Sequence, residues 1–208
     1  MANVNAPSGL VPVRHMLGVP MAGTVRPYYV AATYATALFI GDPVIIVAGG
    51  SNTAAVRVPG AGDFAIGTLP SIEKATAGTS NRITGAIVGF SPLATDLEKK
   101  HNAASTERVA YVCDDPFVVF EIQADGAVTA ANIGLNANLI YTQAGSATTG
   151  LSGVELDTSG LATTAGLQVK ILRAVNREDN DTTLTRARVE VLNNQPTHSP
   201  GTVGSAGV

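Results

Sequence analysis

Few residues in this chain are able to do acid–base, nucleophilic or metal chemistry, and they are scattered. The histidines are His15, His101 and His198. None has metal-ligand spacing such as His-x-x-x-His, so each reads as structural or exposed. Cys113 stands alone, which excludes an internal disulfide and a cysteine metal cluster. The run Glu178-Asp179-Asn180-Asp181 invites a cation but lacks the glycine and distant glutamate of an EF-hand loop. It reads as a solvated loop. Asp114 and Asp115 precede Pro116, and Asp42 precedes Pro43, so all three read as turn formers. Adjacent carboxylates also tend to point apart. A Gly-x-Ser-x-Gly elbow, a P-loop and a dinucleotide fingerprint are all missing. The pattern points away from an enzyme and predicts no catalytic residue, required metal or cofactor.

Composition narrows the classes further. The 208 residues suit one large domain or two small ones. Only 14% are charged and 45% are hydrophobic, with a mean hydropathy of +0.22. Yet no apolar run approaches the roughly 18 residues of a membrane helix. The expectation is a soluble, sparsely charged chain, either Ala- and Thr-rich or covered in part by other protein. The net charge is −3 and no block of Lys or Arg occurs, which argues against direct nucleic-acid binding. The start of the chain has no secretion signal, and synthesis in a reducing cytoplasm is expected. The absence of Trp and the low aromatic content weaken a carbohydrate-binding reading.

The elements that would position these residues are short strands. Apolar runs lie at 28–30, 37–40, 44–47, 64–67, 83–90, 109–113 and 117–123, divided by turn residues. Val118, Phe120 and Ile122 share one face, with Glu121 toward solvent or a partner. Leu167, Val169 and Ile171 alternate with polar residues, as do Ala187, Val189 and Val191. The polar stretch 176–183 between them predicts a β-hairpin with a long charged loop. Helix signals are limited to a turn near Ser91-Pro92 carrying Leu93 and Leu97, and one turn over Thr129–Ile133. Residues 142–166 read as a loop or weak hairpin. The fold class is therefore all-β, a β-barrel or sandwich with an extended N-terminal arm and only short helical turns. The divisions are an arm over 1–24, a β-rich domain over 25–194 and a tail over 195–208.

The arm is the most informative segment. Pro7, Gly9 and Pro12 exclude a helix and favour extended backbone. Leu10, Val11 and Val13 make it too apolar to leave loose in water. Two readings follow: an arm lying on another subunit, or an edge strand on its own domain. In the first, Pro7, Leu10, Val11, Pro12, Val13 and Arg14 form a binding surface, and Arg14 meets an acidic group on the partner.

Several segments taken together resemble structural proteins of tailed-bacteriophage virions, in particular those that decorate the head. The segments are residues 6–14, Leu38 to Val44, Ile83 to Phe90, Val112 to Pro116 and Ile171 to Arg177. The resemblance runs from the arm to about Asn194 and includes no catalytic signature. It implies a capsid decoration, or cement, protein on the outer head surface. Its partners would be the major capsid protein and sister copies, as a homotrimer. The alternatives are a ligand- or receptor-binding β-module of a virion appendage, and an enzyme with a diffuse hydrolytic site.

Overall fold

The structure, a computed structural model, describes residues 3–58 and 62–197. His198 and the rest of the tail from there on lie outside the described residues. Fourteen strands follow in order: β1 (Val11–His15), β2 (Val25–Val30), β3 (Pro43–Ser51), β4 (Val56–Val58), β5 (Gly62–Phe64), β6 (Pro70–Lys74) and β7 (Gly85–Phe90), then β8 (Arg108–Cys113), β9 (Val118–Gln123), β10 (Asn136–Ala137), β11 (Leu139–Ile140), β12 (Glu155–Leu156), β13 (Val169–Ala174) and β14 (Arg188–Asn193). Two 3₁₀ turns, Met21–Thr24 and Ala130–Asn132, are the helical segments among the described residues. The all-β expectation is met.

Strands β2, β6, β3, β7 and β8 close a barrel in that order. Only the β2–β6 contact is parallel. Each barrel strand sends a side chain to one cluster: Tyr28 and Val30, Val44, Ile72, Ile87, and Ala110 with Val112. Closure leaves no free edge, so every barrel strand is paired on both sides. The β4–β5 hairpin covers one flank through Val56 and Val58, which pack with Tyr29, Leu69 and Val109.

A five-stranded antiparallel sheet has the order β1-β9-β14-β13-β10. Its inner face is the alternating set read from the sequence. Val118, Phe120, Ile122, Val169, Ile171, Val189 and Val191 pack with Ala86 and Cys113 of the barrel and with Leu10. One core thus joins sheet to barrel. The short pair β11–β12 borders it.

The N-terminal segment is extended, as expected, but it lies along its own domain. Val11 pairs with Glu121, Pro12 with Phe120, Arg14 with Val119 and His15 with Val118. Before the strand, the Asn3 side-chain amide donates to the Asp181 and Thr185 carbonyls and accepts from the Asp181 N–H. The Ala6 N–H donates to Gln123, and Arg188 donates to the Ala6 carbonyl. Leu10 is buried, and its N–H donates to the Gly41 carbonyl at 2.9 Å. At that crossing Gly9 (φ +67°) and Gly41 (φ +91°) leave no room for side chains. A Cβ on Gly9 would collide with the Gly41 carbonyl, and one on Gly41 with the Ser8 carbonyl. The segment is a strap that ties the sheet to the barrel. A boundary at residue 24 therefore does not separate an arm from a domain.

Other local expectations fare unevenly. The hairpin over 167–191 forms, and the side chain of Asn180 braces its loop by bonding the Val175 and Arg188 backbones. Thr129–Ile133 makes a 3₁₀ turn whose N-cap is Thr129. The turn at Leu93–Leu97 is not helical; Leu93 and Asp96 form an isolated bridge instead. Residues 37–40 make only isolated bridges, Leu38 to Asn102 and Ile40 to Leu151.

Candidate functional site

The residues nominated from the sequence divide by burial. Leu10 is 2% exposed and belongs to the core. Pro7 and Pro12 are half-buried. Val11 and Val13 remain 37% and 42% exposed, although their strand is paired. The strand continues into an apolar turn in which Met16, Leu17 and Val19 are all exposed. Phe117 lies across from it, exposed as well, with its carbonyl accepting the Met16 N–H at 3.0 Å. Sequence periodicity could not find this patch, because exposure at a turn leaves no repeat to read.

His15 organises that patch. Its ring is buried and meets Phe117 edge-on, with centroids 6.2 Å apart. Nδ1 accepts the Leu17 N–H, which places the ring proton on Nε2, 3.3 Å from Asp115. The imidazole therefore braces the turn. Strand β1 is an edge strand, but Pro12 lacks a donor and a bulge falls between Pro12 and Arg14. Both features discourage a further strand from adding along its length. What the edge offers is side chains more than backbone.

Behind β1 the outer face of the sheet carries a charged lattice. Glu190 and Glu121 sit directly opposite each other on β14 and β9, a repulsive placement for two carboxylates. Glu190 accepts from Arg14 at 2.8 Å on one oxygen and from Arg173 at 2.7 Å on the other. Glu121 meets Arg177 at 2.6 Å and Arg188 at 3.3 Å through one oxygen. The Arg173 bond, the burial that opposes it and the Arg14 bond together hold the Glu190 carboxyl below its usual range, the guanidinium bonds prevailing. Arg14 thus pairs with an acid of its own chain, where a partner's had been expected. The alternation of Arg188 and Glu190 was legible in the sequence. Their partners Arg14, Arg173 and Arg177 come from distant segments, so the lattice was not.

The other polar clusters serve the fold. Asp42 is fully buried and takes the Lys74 ammonium at 2.9 Å, the Ser152 hydroxyl at 2.6 Å and the Phe39 N–H at 2.8 Å. Asp114 accepts from the Tyr28 hydroxyl at 2.6 Å and from Arg26 at 3.1 Å. Burial first, then Asp114, raises the Tyr28 phenol far above its usual range. Asp115 points the other way, to His15, so the adjacent carboxylates do diverge. Buried Glu155 receives the side-chain amides of Gln123 and Gln143, and Gln123 also donates to Asn5 of the strap. Burial raises the Cys113 thiol, disfavouring its nucleophilic form.

An open groove is lined by Asp96, Lys99, Lys100, His101 and Thr148 among others. Its imidazole stacks on Phe39 with centroids 5.1 Å apart. Burial, then Lys99 and Arg108, lowers the affinity of His101 for a proton. No serine, threonine or cysteine is hydrogen-bonded to that ring among the described contacts. In the acidic loop, the Asp181 carboxylate caps the Thr183 N–H and hydroxyl. No group of three or more His, Cys, Asp or Glu side chains able to hold a metal ion occurs among the described residues. No helix there is long and apolar enough to cross a membrane.

Comparison with known proteins returned no matching family model, no similar characterised protein and no similar solved structure. The functional reading accordingly rests on the residues themselves.

Proposed function

We propose that this chain is a binding protein that decorates an assembled phage head, attaching to capsid subunits on the outer surface and bracing them. The observation that supports this reading most is the apolar strip on and after β1. Of the eleven large apolar side chains exposed among the described residues, Val11, Val13, Met16, Leu17, Val19 and Phe117 lie on or beside this strip. Contiguous apolar surface of this kind marks interaction sites. The strip sits on a rigid strap and a braced turn, so docking orders little that is not already ordered. A homotrimer would present several such strips to the lattice. Linked contacts then raise avidity by roughly 10²–10⁴ without any new type of contact. Binding only the assembled shell stabilises that state by mass action.

The test is co-sedimentation with undecorated heads of a variant carrying Val13→Ser, Leu17→Ser and Phe117→Ser. Surface substitutions of this kind typically change stability by about 0.5 kcal/mol or less each. The expected result is an unchanged melt with sharply reduced attachment. Full attachment by the folded variant would overturn the reading.

A further inference from the structure

The outer face of the five-stranded sheet holds Arg14, Arg173, Arg177 and Arg188 against Glu121 and Glu190. Four guanidiniums share these two carboxylates, with exposed Asp179 a more distant third beside Arg177, on a chain whose net charge is −3. The side chains of Arg14, Arg173 and Arg177 are 42%, 60% and 44% exposed, while the two glutamates are 12% and 15% exposed. The acids therefore lie beneath and the cations above. Each glutamate fixes its arginines in place, which reduces the side-chain entropy lost when the outer N–H groups meet a second acceptor. The exposed Val11 lies in register with Glu121, so the apolar strip and the guanidiniums form one continuous surface.

We propose that this face is a docking surface for an acidic protein surface, on which carboxylates complete the half-neutralised arginines while the β1 strip packs beside them. The proposal rests on the reading of the chain as a capsid-binding protein and names the chemistry of the shell's contribution. Protein fits the face better than nucleic acid for three reasons. A continuous phosphate backbone would have to run past Glu121, Glu190 and the acidic loop, where Asp179 already lies 3.8 Å from Arg177, whereas isolated carboxylates on a protein surface can meet the outer guanidinium N–H groups alone. The strands of this face carry no aromatic residue on which bases could stack, Phe120 being turned into the core, and the one exposed ring beside them, Phe117, packs edge-on with His15. Arginine beside apolar side chains is the composition of protein interface centres.

The experiment compares wild type with an Arg173→Glu, Arg177→Glu double variant and an Arg173→Lys, Arg177→Lys double variant. Thermal melts first establish that each is folded. Retention is then measured on undecorated heads and, separately, on immobilised polyglutamate and on duplex DNA, from about 50 to about 300 mM salt. The expected result is salt-sensitive retention of wild type on heads and on polyglutamate. The glutamate variant should lose at least about tenfold on both, and the lysine variant should retain most of it. If heads fail to retain wild type while polyglutamate retains it and the glutamate variant abolishes that, the capsid reading falls and the acidic-partner assignment stands. Equal retention of wild type and glutamate variant on polyglutamate would overturn the assignment. So would stronger retention on DNA. Salt-sensitive self-association that the glutamate variant dissolves would assign the face to a second copy and overturn it too. Should the glutamate variant not fold, Arg173→Gln with Arg177→Gln takes its place under the same criteria.

Discussion

The barrel and the five-stranded sheet use the same kind of strand to opposite ends. In the barrel every strand has two neighbours, and although Arg26 and Glu73 reach solvent, other charged groups are buried and hold loops. Arg108 shows this: it is buried and donates to the carbonyls of Ser91, Lys99 and His101. In the sheet one face is as apolar as any core, while the other carries arginines half in water. A charge inside a closed structure fixes that structure. A charge on an open face remains available to something else. The difference locates the adaptable surface on the sheet and makes the barrel its foundation.

Five variants would break or sharpen that contrast. The largest effect is expected from a chain that starts at His15. It lacks the Gly9–Gly41 crossing, the Leu10 contact and most of β1, so the sheet should lose its fixed packing on the barrel. The loss should approach the whole margin of a small domain, about 5–15 kcal/mol. A truncated protein that melts like the full chain would show that the strap is dispensable, and would restore the arm as a free appendage.

Next come three single changes, two on the buried side and one on the outer face. Phe120→Ala opens the core shared by sheet and barrel and should cost about 3–5 kcal/mol by denaturant unfolding. Asp42→Ala strands the Lys74 ammonium and should cost about the same, as breaking a buried pair does. Arg177→Ala removes a pair that is half in water and should cost no more than about 1 kcal/mol. If Arg177→Ala proves as damaging as Asp42→Ala, the outer lattice is structural and the contrast collapses.

The smallest effect concerns acid. The folded Glu190 carboxyl titrates below its ordinary value of 4.5. The stability it contributes is therefore fully present above that value and is lost as pH falls through the lower folded value. Glu190→Gln should therefore lower stability modestly at neutral pH and flatten the acid limb, the gap from wild type closing as pH falls through the folded value. An acid limb identical to wild type would mean that the lattice exerts no net pull on this carboxylate.

Strands were legible where one face meets a core and the other meets water. Val118, Phe120 and Ile122 gave away β9, and the alternation around Val169 and Val189 gave away its neighbours in the sheet. Strand β6 was not legible, because Pro70-Ser71-Ile72-Glu73-Lys74 holds a single large apolar residue and is fixed by pairing on both sides. The extended course of residues 7–14 was legible from the prolines. Which surface it followed was not, since that choice rests on Gly41, Gln123 and Glu190, all distant in sequence. Of the candidate surface, Val11, Val13 and Arg14 were read in advance. Met16, Leu17 and Phe117 were not, because nothing in an apolar triplet at a turn says whether it will be covered.

The order of the strands along the chain has a consequence for synthesis. The barrel uses a continuous stretch, 25–113, and its partners emerge from the ribosome close together. The sheet has no such advantage: β1 must wait for β9, and β9 for β14, almost at the other end. Contacts of such long sequence separation form late. During that interval the first strand is without its neighbour while the barrel closes behind it. A chain interrupted before residue 188 holds a complete barrel yet lacks both Arg188 and Glu190, so the lattice cannot assemble. The arginine lattice proposed to engage the shell is thus displayed only once the chain has been made past residue 190.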